Sequence, residues 1–401
     1  MNVLFVTWDG PQVTYLESLF LPIFKRLAKS GINFHILQFT WGDAQRVKII
    51  RQACIDADFT YQAETIWRHP VAAGGLLTAL NGARLIRKSV HDHRIDAVMP
   101  RSTLPALATL LALHGRSLPM IFDADGLPLD ERVDFSGQSS SGLFYRLLRD
   151  IESQAVRRAD VVLTRSRKAV EILRARAGAG TAFDKYHVVS NGRDSKVFKP
   201  ADSVEYSDMR KKCNVNLHAP FVIYSGSLGG KYCLTEMLHL FSFIRMRRGD
   251  AKFLILTGTP DIANNIINQF PHLKESVNTL AVSSNMVSQY LSCADLGLSL
   301  IRPSYSMQGA AAIKTGEYLL SGLPIVATPG IGDSKEISSE VGYLLENMGE
   351  RDLKAAANWF IDVVLPNREA FRTNCRGIGE TNYSLDASTN AYVDALLRVN
   401  K

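Results

Sequence analysis

Glu317 and Lys314 are the first pair in this 401-residue chain whose types and spacing invite chemistry. They lie three residues apart in IKTGEYLLSGLPIVATPG (313–330), where a Gly-Leu-Pro turn at 322–324 leads into the apolar strand Ile325-Val326-Ala327. Residues i and i+3 share a helix face, so a carboxylate and an ammonium are offered together ahead of a buried strand. Taken alone, that is also what a helix-surface ion pair looks like, worth about 0.2–0.5 kcal/mol. A second group is Asp123-Ala124-Asp125, at the end of the run PMIFDAD. A strand-end carboxylate can orient a hydroxyl or take its proton, or simply cap the strand or pair with an Arg. D-x-D can also hold a divalent metal, but such tripeptides are common and Asp56-Ala57-Asp58 is another. Arg101 ends the preceding strand, where it can pair with Asp123 or meet an acidic substrate. His91 and His93 flank Asp92, but RKSVHDHRIDA reads as a polar helix end before a strand.

The elements that must position these residues alternate between short apolar strands and amphipathic helices. NVLFVTW (2–8) reads as a buried strand, 15–29 as a helix closed by Ser30-Gly31, and NFHILQF (33–39) as the next strand. Further strands are expected at 97–101, 119–125, 160–166 and 186–192, with polar residues at their C-terminal ends. Ligands of doubly wound sheets bind at that edge. Gly10, in DGPQ after the first strand, permits a tight turn there. Residues 191 to about 220 read as a junction, after which the pattern restarts at 220–226, 252–258, 278–284, 296–304 and 323–328. Repeated βα units imply parallel sheets, so the expected class is α/β with two Rossmann-like domains, 1–200 and 201–380. A tail helix at 386–398 belongs to a C-terminal segment, about 380–401, that can pack back on the first domain.

The composition, 46% hydrophobic and 21% charged, is that of a globular chain. Its net charge of +7 suits a nucleotide phosphate or an anionic membrane face. Five Cys without a CxxC read as thiols in a reducing compartment, and MNVLFVTWDG does not read as a signal peptide. The longest apolar run, Leu104–Leu113, is about half of a membrane span. Eight Arg at 146, 149, 157, 158, 165, 167, 174 and 176 form either a solvated helix face or a docking surface for anionic lipid. No aromatic-basic module suggests nucleic acid.

Across nearly its whole length the chain resembles the GT-B glycosyltransferases of the GT4-like group, also called glycosyl transferase group 1. The segment ADLGLSLIRPSYS…KTGEYLLSGLPIVAT is similar to that group's donor-site signature, and YSGSLGGKY (224–232) to its Gly-rich loop. ADVVLTRSRKAVEIL and VVSNGRDSKVF resemble the end of the first domain. GPQVTYLESLFLPIFKRLAKSGINFHILQF resembles the start of some polysaccharide-building members. The resemblance implies two facing domains with a central cleft, the donor in the second. Glu317 matches the carboxylate that holds the donor ribose, as the acidic residue of dinucleotide folds does. Lys314 would then point a compact charge at the diphosphate. Gly309 stands where the motif E-x7-E has its first Glu, and Ser227 where the loop is commonly basic. Lys231 and Arg302 are the cations offered in compensation, and the Gly10 loop would reach toward the donor phosphate and acceptor. IFDADGLPLDERVDF resembles the acceptor-side segment, with Asp125 and Asp123 as candidate catalytic carboxylates and Arg101 as an acceptor contact.

The implied reaction moves a sugar from a nucleotide sugar to a hydroxyl of a glycan or lipid-linked acceptor. Retention, no metal and no cofactor are expected, in the cytoplasm or at the inner membrane face, during surface polysaccharide synthesis. A non-catalytic sugar-nucleotide or glycan-binding relative, and a GT-B isomerase or phosphorylase, remain alternatives on the sequence.

Overall fold

The run NVLFVTWD has no charge before its last residue and extends as the buried strand β1 (Asn2–Asp9). In this computed structural model, which describes residues 1–178 and 180–400 apart from the side chains of Val71, Ala72 and Asn400, the chain divides into two compact units. The first holds Met1–Ser190, Gln308–Ala310 and Ser388–Lys401; the second holds Asn191–Met307 and Ala311–Ala387.

In the first unit β2 (Asn33–Thr40), β3 (Thr60–Thr65) and β4 (Ala97–Pro100) join β1 in the parallel order β3-β2-β1-β4. β5 (Ile121–Asp123), β6 (Val161–Thr164) and β7 (Tyr186–Val188) continue it, through the bridges Val98–Met120 and Arg101–Asp123. The strands after β1 are laid to one side and those after β4 to the other. The order therefore reverses between β1 and β4, where Asp9 ends one strand and Arg101 follows the other. Phe24 stacks on Phe34 under this sheet, and Phe5 and Phe20 close around them.

The second unit carries a six-stranded parallel sheet. Its strands are β8 (Phe221–Ser225), β9 (Lys252–Leu256), β10 (Val277–Leu280), β11 (Leu296–Ser299), β12 (Ile325–Ala327) and β13 (Gly342–Leu344). Their order is β10-β9-β8-β11-β12-β13, which reverses between β8 and β11. Fully buried Arg210 braces this unit: it pairs with Asp295 at 3.3 Å, and Arg368 reaches the same carboxylate at 3.0 Å. A buried charge is tolerable only with partners of this kind.

Two strands were not expected from the sequence. β3, TYQAET, is an edge strand with polar positions on both faces, and β13 is only three residues long. The first boundary lies between 190 and 191 instead of 200 and 201, because Arg376 donates to the carbonyls of Ser195 and Phe198 at 2.9 and 2.6 Å and ties that segment to the second unit. Residues 388–401 join the first unit, where Ser388 Oγ donates to Ser190 O at 2.7 Å. Residues 380–387 stay with the second.

Candidate active site

At the C-terminal edge of the second sheet, the Gly-rich loop leaves β8 and the helix Ile313–Leu320 runs toward β12. Tyr318 of that helix lies against Gly297 of β11, where a Cβ would come within 2.5 Å of its ring, and its hydroxyl accepts from Ser225 N at 2.8 Å. The helix is thereby fastened to both strands beside the reversal point. One turn earlier, Lys314 is buried, not on a helix surface. Its Nζ sits 4.1 Å from the Tyr224 ring centre and 4.4 Å from that of Tyr232, and no hydrogen-bond partner reaches it. Gly226, at φ 147°, lies close by; a Cβ there would come 3.0 Å from Nζ, so the glycine makes room for the ammonium. Burial pushes the Lys314 ammonium down to about 7, with Glu317 opposing and Lys231 reinforcing the shift. An aromatic cage with an unanswered cation is a ready site for an anion.

Glu317 pairs with Arg193 Nε at 3.0 Å, with both side chains largely buried. Ser227 is exposed, and its carbonyl accepts the Tyr224 hydroxyl at 2.5 Å. Arg302 N donates to Lys231 O at 2.8 Å, next to the Tyr232–Ile301 bridge, so these two cationic residues share one strand end. Arg302 is exposed. Gly309 instead belongs to the first unit, where a Cβ would come 2.7 Å from Leu127 Cγ; close packing accounts for the glycine there. Arg193, Tyr224 and Tyr232 were not singled out from the sequence. The two Tyr bracketing the glycine loop, and the Arg inside NGRD, were the visible signals.

The reversal point of the first sheet also gathers charge. Asp123 is completely buried and pairs with Arg165 at 2.7 Å, and its Oδ1 accepts from Asp125 N at 3.2 Å. Burial holds the Asp123 carboxyl above its usual range, with Asp125 adding to the shift and both arginines opposing it. Burial works against the Arg165 charge, but Asp123 beside it prevails and raises its pKa. Arg101 is buried too; it forms an ion pair with Asp125, lies 3.7 Å from Asp9, and stacks against Tyr15 and Phe20. Its charge is thus committed to carboxylates of its own chain, and Asp125 is its close partner in place of Asp123. Asp125, at φ 52° and with a side chain 30% exposed, is the accessible carboxylate of the cluster. Asp123 positions; it does not face solvent. Gly10 packs against the Trp41 indole, 2.6 Å from where its Cβ would stand. Asp9 is the member that the sequence reading passed over, and Arg165, read there as part of the Arg-rich stretch, is instead the partner of Asp123. Among the described residues, no group of three or more His, Cys, Asp or Glu side chains is placed to hold a metal.

The Arg-rich stretch 146–176 is turned largely on itself. Arg149 and Arg176 meet buried Glu152, Arg176 also reaches Asp130 at 2.9 Å, and Arg158 pairs with Asp160 at 3.4 Å. With Arg165 on Asp123 as well, it is not a continuous lipid-facing surface.

Residues 20–192 match a family model described as glycosyl transferase 4-like domain. No curated protein sequence matches the chain. Anabaena HepE in complex with UDP superposes with a TM-score of 0.75 at 16% identity, over 99% of this chain and 100% of HepE. A glycosyltransferase from Rickettsia africae gives 0.74 at 14% identity, over 100% and 99%. The lipopolysaccharide outer core galactosyltransferase WaaB, in its apo form, gives 0.67 at 14% identity, over 99% of each chain. The chain thus has the GT-B fold of these glycosyltransferases, and its residues 20–192 match the glycosyl transferase 4-like domain.

Proposed function

We propose that this protein is a glycosyltransferase that takes a sugar from a nucleoside-diphosphate sugar and joins it to a hydroxyl of a glycan or lipid-linked acceptor. The observation that carries this is the buried, unanswered Lys314 ammonium between Tyr224 and Tyr232, one helical turn from Glu317. Lys314, with Lys231 and Arg302 at the neighbouring strand end, takes the diphosphate. Glu317 takes the ribose hydroxyls, and Arg193 holds its carboxylate in place. HepE is known in complex with UDP and with UDP-glucose, which favours a uridine donor. WaaB is a lipopolysaccharide galactosyltransferase, which favours a role in bacterial surface polysaccharide. All five cysteines are free thiols, in keeping with work in the cytoplasm.

In this reading, the acceptor oxygen forms a bond to the anomeric carbon as its bond to the diphosphate breaks. The departing diphosphate oxygen takes the acceptor proton on the same face, which gives retention. Asp125 orients the acceptor hydroxyl, and cationic side chains stabilise the leaving group in place of a metal. Incubation with radiolabelled UDP-sugars and a polyprenyl-linked or oligosaccharide acceptor panel tests the reading. Acceptor-dependent release of UDP supports it. Conversion of the donor sugar without any acceptor, or no turnover across the panel, overturns it.

A further inference from the structure

Two cysteines of the second unit, far apart in the sequence, meet in the fold. Cys213 closes the helix Ser203–Lys212, its N donating to Met209 O at 3.0 Å. Cys293 lies just beyond the short helix Val287–Leu291 and two residues before Asp295. Buried Arg210 joins the two segments. Three residues before Cys213, it shares that residue's side of the helix, and its Nη1 donates to the Cys293 carbonyl at 3.0 Å. Lys212 adds a second tie, with Nζ 5.6 Å from the centre of the Tyr290 ring. Both cysteines join the apolar cluster that holds Tyr290, Leu291 and Ala294. There the two thiols hydrogen-bond to each other, and Cys293 Sγ can also donate to Tyr290 O at 3.2 Å.

The two sulfurs are prepared differently. Among the described residues Cys213 is the part-exposed cysteine, and Cys54, Cys233, Cys293 and Cys375 are buried. The hydrogen bond from Cys293 draws the Cys213 thiol below its ordinary value, against burial, with Lys212 and Arg210 assisting. That same bond, and burial, push the Cys293 thiol up. Burial pushes Cys54 up to about 12 and Cys233 up to about 11, and raises Cys375 as well. The thiolate is the nucleophilic form, so one sulfur is suited to attack and its neighbour to keep a proton. A cavity of about 330 Å³ lies alongside. Met209, one turn before Cys213, and Ser292, next to Cys293, are among its lining residues, and it is ample for a small oxidant.

We propose that Cys213 and Cys293 form a redox modification site, which a hydroperoxide oxidises to a disulfide and a small thiol restores. The Cys213 sulfur attacks a peroxide oxygen and the O–O bond breaks. Cys213 becomes a sulfenic acid, and its thiol proton leaves with the departing oxygen as water. The Cys293 sulfur then attacks the Cys213 sulfur. The S–S bond forms, the S–O bond breaks, and hydroxide departs with the Cys293 proton as a second water. The two sulfurs together give up two electrons and the peroxide takes them. An added dithiol reverses the bond by exchange and is itself oxidised. None of this rests on the proposed glycosyl transfer, because thiols are counted without nucleotide sugar.

The test exposes the full chain to stoichiometric hydrogen peroxide, removes the oxidant, and counts thiols after denaturation. The five free thiols should fall by two, and peptide mass mapping should find Cys213 linked to Cys293. Dithiothreitol should restore all five. Cys213→Ser, at the part-exposed position and checked by circular dichroism, should keep its remaining thiols under the same exposure. In Cys293→Ala, oxidation should stop at the sulfenic acid, which dimedone traps on Cys213. Persistence of all five wild-type thiols overturns the proposal, as does a disulfide to another cysteine or to a second copy of the chain. Thiol loss from Cys213→Ser at the wild-type rate, or no dimedone adduct in Cys293→Ala, overturns it too.

Discussion

The two reversal points are built from the same parts and use them in opposite ways. In the first unit, three carboxylates (Asp9, Asp123, Asp125) face two guanidiniums (Arg101, Arg165), and only Asp125 keeps appreciable exposure. In the second, the single carboxylate Glu317 pairs with Arg193 one helical turn from Lys314, which is buried with no hydrogen-bond partner and feels the charge of Lys231. The first has its charge answered from within and is arranged to be rigid. The second holds a cation at a cost that an incoming anion would relieve. One fold edge, repeated, thus provides one positioning site and one site poised for a polyanion.

The sharpest way to break this comparison is to remove an internal answer. Arg165→Ala should leave Asp123 buried and unpaired, costing about 3–5 kcal/mol, seen as a fall in the thermal transition. The joint change Asp123→Leu/Arg165→Met should recover most of it. A minor loss in the single variant would mean the first cluster is not braced as described.

Asp125→Asn keeps the shape of the accessible carboxylate and should lower kcat by about 10²-fold through misplaced acceptor, with UDP affinity unchanged. Weaker UDP binding at full kcat would reverse the roles assigned to the two units. Glu317→Ala should cost about 1.5–3 kcal/mol in UDP affinity by calorimetry, from lost charged hydrogen bonds. Full affinity in that variant would remove Glu317 from the donor site.

The Lys314 shift predicts a pH dependence. Between about 7 and the ordinary value of 10.5, an unfolded lysine holds a proton that folded Lys314 lacks. The sign follows: its effect on stability is least favourable below about pH 7 and eases as pH rises to 10.5. A bound diphosphate restores the proton, so UDP affinity should fall by up to about tenfold per pH unit above neutrality. Lys314→Met should bind UDP more weakly and lose that slope; a flat wild-type profile would mean the ammonium is already charged. The smallest expected effect is that of EDTA, which should leave activity intact; loss restored by Mn²⁺ would return Asp123 and Asp125 to consideration as metal ligands.

The sequence alone determined the βα alternation, since apolar runs of four to eight residues between amphipathic segments have few other foldings. It also marked Asp125 and Arg101 just past strand ends, and Glu317 and Lys314 on the helix ahead of β12. It did not reveal β3 or β13, whose short or two-sided polar patterns lack that signature. Pairing was beyond it as well. Arg193 lies 124 residues from Glu317 and Arg165 lies 42 from Asp123, so only the folded chain decides which charges meet. Lys314 shows the difference most plainly. Its position on a helix is local, but its burial under Tyr224 and Tyr232, and with it the chemistry of an unanswered charge, comes from strands β8 and β11 closing beside it.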